Sequence, residues 1–183
     1  MRNRGEFWPA VPDWQTAALE GPGLRIAPAR GIVGIHVVSG KVDRALEALG
    51  GLNALGPRDL CRGERYALRL APDRVLVVSS RVEAMSPGWS DDGYAVSDIT
   101  EGMVPIDISG KGAGDIIAEG TSYDFSAKDE RPRESALLLF AGFRLAVARR
   151  PDGFRLHIER PLATELWTWL AAAVQSAAQG ESP

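Results

Sequence analysis

The apolar positions of this chain alternate with period two in some stretches and recur at helical spacing in others, and the order of these stretches is used twice. Residues 32–38 are rich in β-branched side chains and predict a strand. Val42, Ala45, Leu46 and Leu49 follow at helical spacing, and Gly50-Gly51 ends that helix. Tyr66, Leu68 and Leu70 alternate with Ala67 and Arg69, a Pro72-Asp73 turn reverses the chain, and 75–78 returns as a strand. A short helix is predicted over 81–85, broken by Ser86-Pro87-Gly88, then a closing strand over 94–96. The second pass predicts a strand over 103–108, a helix over 112–118 and strands over 135–140, 143–149 and 154–159. A long helix over 162–178 finishes the chain. Leu162, Leu166, Trp169, Leu170, Ala173 and Val174 give it one broad apolar face, with Trp167 to its side.

The repetition extends to the turns. Ser39-Gly40-Lys41 and Ser109-Gly110-Lys111 are 70 positions apart (109 − 39), and Pro72-Asp73 and Pro151-Asp152 are 79 apart (151 − 72). The extra residues fall in the polar stretch 121–133. A strand-helix-hairpin unit used twice predicts an α+β fold, two tandem β-α-β-β-α (ferredoxin-like) units with mixed or antiparallel sheets. The expected boundaries are an irregular aromatic arm over 1–30, a first unit over 31–100 and a second unit over 101–183, together one compact domain. In the arm, Phe7-Trp8-Pro9, Val11-Pro12-Asp13-Trp14 and Gly21-Pro22-Gly23 mix large aromatics with breakers. Phe7, Trp8 and Trp14 either fold back over their own domain or anchor onto another subunit, and Trp167 is a further interface candidate.

Composition narrows the function. A net charge of −3 gives no electrostatic reason to expect nucleic acid or an anionic membrane as partner. The apolar stretch near the end is interrupted by Thr164, Glu165, Thr168 and Gln175, a poor membrane span. A single cysteine, Cys61, and the lack of a charged-then-apolar leader predict the cytoplasm.

Candidate chemistry is sparse. His36 and His157 sit inside predicted strands with no Cys or His at metal-ligand spacing, so a structural role is expected for both. Cys61 lies in a loop beside Arg62 with no histidine near in sequence to act as its base. Gly110-Lys111-Gly112-Ala113-Gly114 stands between a strand and a helix, where phosphates bind, but lacks the Lys-Ser/Thr pair of a P-loop. Asp98 is placed to cap a local turn. Asp129–Arg133 is a mixed-charge connection. The chain reads as a binding or assembly module.

Several segments together resemble the gamma subunit of heterotetrameric sarcosine oxidase, a relative of the aminomethyltransferase (glycine-cleavage T-protein) fold. They are Val96-Ser97-Asp98-Ile99-Thr100, Ile106-Asp107-Ile108-Ser109-Gly110, Asp115-Ile116-Ile117-Ala118-Glu119-Gly120, Tyr123-Asp124-Phe125 and Asp152-Gly153-Phe154. Arg160-Pro161-Leu162-Ala163, opening a helix with Leu166-Trp167-Thr168-Trp169-Leu170, completes the set. The order and spacing of these segments over the C-terminal half carry the resemblance. It implies a gamma-type subunit with no redox cofactor and no catalytic or metal-binding residue of its own. Its partners would be alpha, beta and delta subunits that hold FAD, FMN, NAD and zinc, with tetrahydrofolate in the alpha subunit against which this chain packs. The alternative is a stand-alone tetrahydrofolate-binding protein of the same superfamily, for which Asp98 and Asp124 are the pocket candidates.

Overall fold

In chain order the elements of the computed structural model are β1 (Leu19–Gly21), β2 (Leu24–Pro28), β3 (Gly34–Gly40), α1 (Val42–Ala48), β4 (Ala54–Leu55), β5 (Tyr66–Ala71), β6 (Arg74–Ser79), β7 (Gly88–Trp89), β8 (Tyr94–Asp98), β9 (Met103–Gly110), α2 (Ala113–Gly120), β10 (Leu137–Phe140), β11 (Phe143–Arg150), β12 (Gly153–Glu159) and α3 (Arg160–Gly180). The structure describes residues 10–83, 85–127 and 134–180. Among the described residues these strands form two six-stranded sheets, ordered β7-β8-β3-β6-β5-β4 and β1-β2-β9-β12-β11-β10. Strand β12 leads directly into α3.

The sequence offsets reappear as strand registers. Ser39 pairs with Arg74 across β3 and β6, and Ser109 pairs with Gly153 across β9 and β12. The shifts are again 70 (109 − 39) and 79 (153 − 74). The backbone closes both copies alike: Gly40 N donates to Asp73 O and Gly110 N to Asp152 O, each at 2.9 Å. Both glycines lie in the left-handed region, at φ 100° and 99°. In each, an added Cβ would overlap a backbone carbonyl oxygen, that of Gly93 or of Gly23. Only glycine fits such a close approach without strain.

The N-terminal arm departs from expectation. Residues 19–28, read as irregular, form the β1–β2 hairpin, and β2 pairs antiparallel with β9. Gly21-Pro22-Gly23 is the reversal between two strands, not the end of structure, with Gly23 at φ 60°. Leu24, Ile26 and Pro28 alternate inward along β2. The second sheet thereby receives from the N-terminus the strand that β8 supplies to the first: Tyr94 pairs with Gly40, and Leu24 pairs with Gly110.

A helix over 81–85 is the other expectation that fails. The described residues between β6 and β7 are non-helical. Glu83 is drawn inward instead, its carboxylate accepting from Ser79 Oγ at 2.6 Å and from Arg65 Nε at 2.6 Å and Nη2 at 3.0 Å. Among the described residues the first unit thus has no counterpart of α3, and the residues under that position differ. Under the α3 side of the second sheet lie buried Val104, Ile106 and Ile158; the equivalent positions of the first sheet are Gly34, His36 and Ser79.

Alternation sets what each face does. One face of the second sheet gives Ile26, Val104, Ile106, Ile108, Val147, Leu156 and Ile158 to a core closed by Ile116, Ile117, Leu166 and Leu170 of α2 and α3. The helix-free faces meet through a second cluster, in which large Tyr66, Leu68, Leu76 and Val78 of the first sheet face small Ala146 and Ala148 of the second. Cys61 N, in the loop before β5, donates to Arg149 O of β11 at 2.8 Å, and Ala136 N, just before β10, donates to Arg69 O of β5 at 2.7 Å, so backbone bonds link the two sheets.

Candidate functional site

The alternation that buries Ile106, Ile108, Leu156 and Ile158 turns Asp107, Ser109, Arg155 and His157 to the opposite, helix-free face. β2 adds Arg25 and β11 adds Arg150, while Glu64 arrives from the loop before β5. Except for His157, these side chains line a polar cleft of about 400 Å³, with Thr16, Arg30 and Asp152 at its margin.

Arg155 forms its floor. Its side chain is 4% exposed, and Nε and Nη2 donate to the two carboxylate oxygens of Asp107 at 2.6 and 2.9 Å. Nη1 donates to Glu64 at 2.7 Å and to the Tyr66 hydroxyl at 3.5 Å. Arg150 bonds the other Glu64 oxygen and the carbonyl of Gly63. Arg25 pairs with Glu20 at the rim. Burial works against the Glu64 carboxylate, but the Arg155 and Arg150 guanidinia outweigh it and hold its pKa below the usual range. Burial likewise opposes the Arg155 charge, and Asp107 and Glu64 more than compensate.

Behind the cleft, the Tyr66 hydroxyl meets His157 Nε2 at 2.9 Å. Burial pushes the tyrosine up, keeping it protonated, and pushes the His157 pKa down to about 3, with Arg155 and Arg150 adding to that effect. Cys61 is fully buried, and burial raises its thiol in spite of Arg150 Nη1 at 3.7 Å from Sγ. At neutral pH the cluster thus holds a carboxylate fixed by arginines, a phenol, a neutral imidazole and a thiol. None of these is poised to give or take a proton, and the network's evident work is to join the two sheets. None of its members except His157 and Cys61 stands out in the sequence; the signal available was the polar residue between apolar neighbours in Ile106-Asp107-Ile108 and Phe154-Arg155-Leu156.

The structure does not bring the two folate-pocket candidates together. Asp98 ends β8 and accepts from Thr100 N at 2.9 Å and Thr100 Oγ1 at 2.6 Å. It borders an open groove with Val33, Ile99, Thr100, Glu101 and Gly102. Asp124 accepts from Ser126 N and Oγ at 2.8 and 2.6 Å in the loop after α2. Those hydrogen bonds, side chain first, lower both pKa values. Each carboxylate is exposed and committed to its own turn.

The aromatic candidates divide. Trp14 packs edge-on against Trp167, ring centroids 5.7 Å apart at 88°, so the contact they make is within this chain. Phe7 and Trp8 lie outside the described residues, as does the 129–133 connection. His36 is buried on β3 opposite Asp98, and its Nδ1 has no hydrogen-bond partner. In the glycine-rich turn, Gly110 N and Gly112 N donate to the carbonyls of Asp152 and Gly23, so these amides serve the fold. Among the described residues no three of His, Cys, Asp and Glu converge as a metal ion requires, and no helix is long and apolar enough to cross a membrane.

No family model matches the chain, and no curated protein matches it. Among solved structures, a chain of the heterotetrameric sarcosine oxidase from Corynebacterium sp. U-96, in complex with pyrrole 2-carboxylate, is similar in fold at a TM-score of 0.66 and 13% sequence identity. The match covers 87% of this chain and 88% of that one. The fold is α+β, a tandem ferredoxin-like arrangement similar to that of a chain of this oxidase.

Proposed function

We propose that this protein is a non-catalytic, gamma-type subunit of a flavin-dependent sarcosine oxidase or a related N-methyl amine oxidase. The observation that carries the reading is the reach of the structural match: it spans nearly all of both chains, so the two are of nearly equal length. This extent supports a likeness to a whole small subunit rather than to a domain of a larger one. The segments between Val96 and Leu170 that resemble the gamma subunit point the same way. In this reading the alpha subunit holds tetrahydrofolate and packs against this chain, and FAD, FMN, NAD and zinc reside in the alpha, beta and delta subunits. The complex oxidises an N-methyl amine to an iminium, and this chain contributes structure.

The test is purification through a tag on this chain, expressed alone and beside the genes that neighbour its own. Co-elution of flavin-coloured larger subunits that oxidise sarcosine, with no oxidation by this chain alone, is the expected result. A soluble chain that recruits no flavoprotein but whose tryptophan fluorescence is quenched by tetrahydrofolate would replace this reading with the stand-alone binder.

A further inference from the structure

Trp89 is 75% exposed, whereas Trp14, Trp167 and Trp169 all pack against the helix-covered core. It lies on β7, the free edge of the first sheet, directly opposite Ala95, which in turn pairs with Ser39. Directly paired residues share a face. Trp89, Ala95 and Ser39 thus form one row on the helix-free side, with Ser97 and Val37 as the next. Ala95, Ser39 and Val37 are only half-buried and Ser97 is exposed. The surface is a shallow platform of small residues with an indole at its rim.

The internal duplication supplies a control. In the second sheet, the pair equivalent to Trp89 and Ala95 is Glu20 and Arg25, an ion pair with both side chains more than half exposed. Water suits that pair. The first sheet has an indole at the same place, a side chain whose large apolar area is wasted in water and which dominates interfaces when covered. The adjoining turn selects the occupant. Asp91 and Asp92 are exposed, and neither takes part in an ion pair among the described residues. The stem of Lys41 crosses nearby Gly93 without an ion pair to either. A guanidinium answers both features, its plane on the indole and its N–H groups on a carboxylate.

We infer that the Trp89 platform is a docking surface for a partner subunit, which lays an arginine over the indole and against Asp91 or Asp92. The inference rests on the proposed role as a subunit and adds to it the surface and the chemistry of contact.

The experiment uses the full chain, tagged and co-expressed with the flavoprotein subunits encoded beside it, in wild-type form and as Trp89→Ala, Asp91→Asn/Asp92→Asn and Glu20→Ala. Flavin recovered per mole of tagged chain and the Kd of reassembly are read, and thermal unfolding of each free chain verifies folding. Expected is a loss of affinity of roughly 30-fold or more for Trp89→Ala. The double Asn variant should be weakened with a flatter salt dependence, and Glu20→Ala unchanged. Trp89→Tyr, which keeps an aromatic face, should recover part of the loss. A wild-type chain that assembles with flavoprotein while both the Trp89→Ala and the double Asn variants assemble equally well overturns this surface and leaves the subunit role standing. A wild-type chain that recruits no flavoprotein overturns the subunit role and this inference with it. A homodimer of the free chain that Trp89→Ala dissociates makes a second copy the occupant and overturns the heteromeric one.

Discussion

The Tyr66 hydroxyl stands 2.9 Å from Nε2 of His157, where the first sheet meets the second. Arg155 Nη1 donates to the same oxygen at 3.5 Å, and a guanidinium cannot accept. The tautomer that gives the phenol proton His157 as acceptor leaves Nε2 bare and carries the imidazole proton on Nδ1, an atom with no hydrogen-bond partner. Replacing Tyr66 by Phe leaves Nε2 buried and unpaired as well. The expected cost is about 1–3 kcal/mol in chemical denaturation at pH 7.

The same histidine sets a pH dependence. Its folded pKa, about 3, lies below its unfolded value of 6.5. The unfolded chain thus binds the extra proton, and the stability from this group is full above pH 6.5 and falls as pH drops toward 3. The slope expected from one such proton is about 1.4 kcal/mol per pH unit. Denaturation of the His157→Gln variant between pH 6.5 and 4 should be flatter by that amount; an unchanged slope would assign the titration to another group.

Glu83 titrates lower down. Its hydrogen bond from Arg65, with help from Ser79, outweighs burial and brings its pKa from 4.5 to about 2. The carboxylate side chain is 4% exposed, so its stabilisation is present above pH 4.5 and lost as pH falls to about 2. Glu83→Gln should destabilise the protein at pH 7 by on the order of 2 kcal/mol, and the difference from wild type should shrink across that window.

Gly40 and Gly110 should respond alike to alanine. Each substitution adds a left-handed backbone penalty of roughly 1–2 kcal/mol and a clash with a neighbouring carbonyl. The location of damage should differ: hydrogen exchange should speed up around Gly93 in the Gly40→Ala variant and through 19–28 in Gly110→Ala.

Ala141 is the converse case, a non-glycine residue at φ 51° beside Gly142 at 84°, in the two-residue turn between β10 and β11. Such turns need positive φ at both central positions. Ala141→Gly should stabilise the chain by about 0.5–1 kcal/mol, read as a raised Tm.

Local pattern was enough for the repeat because strand pairing preserves it: Ser39 and Ser109 occupy the same register in their sheets. It was not enough where long-range contacts decide. Gly21-Pro22-Gly23 is a breaker by composition, and the pairing of Ile26 with Leu19 on one side and Ile108 on the other makes a strand of residues 24–28. Residues 81–85 carry helical spacing, but Ser79 and Arg65 take Glu83 into a loop. The Arg155 cluster joins residues from three separate stretches, and no spacing rule links 64, 107 and 155. Trp89 sits in a turn-rich stretch whose exposure is set by the sheet edge.

Because β2 belongs to the sheet built by β9, β11 and β12, the chain threads out of its second half and back before it begins its first. During synthesis Leu24 waits for Gly110, its partner, until more than eighty further residues have emerged (110 − 24 = 86). The protein is thus not divisible at the seam between its copies. A cut near residue 100 yields one fragment with a complete sheet trailing an unpaired hairpin, and a second with an open edge along β9. The hairpin is then the natural clasp for reconstituting the two halves.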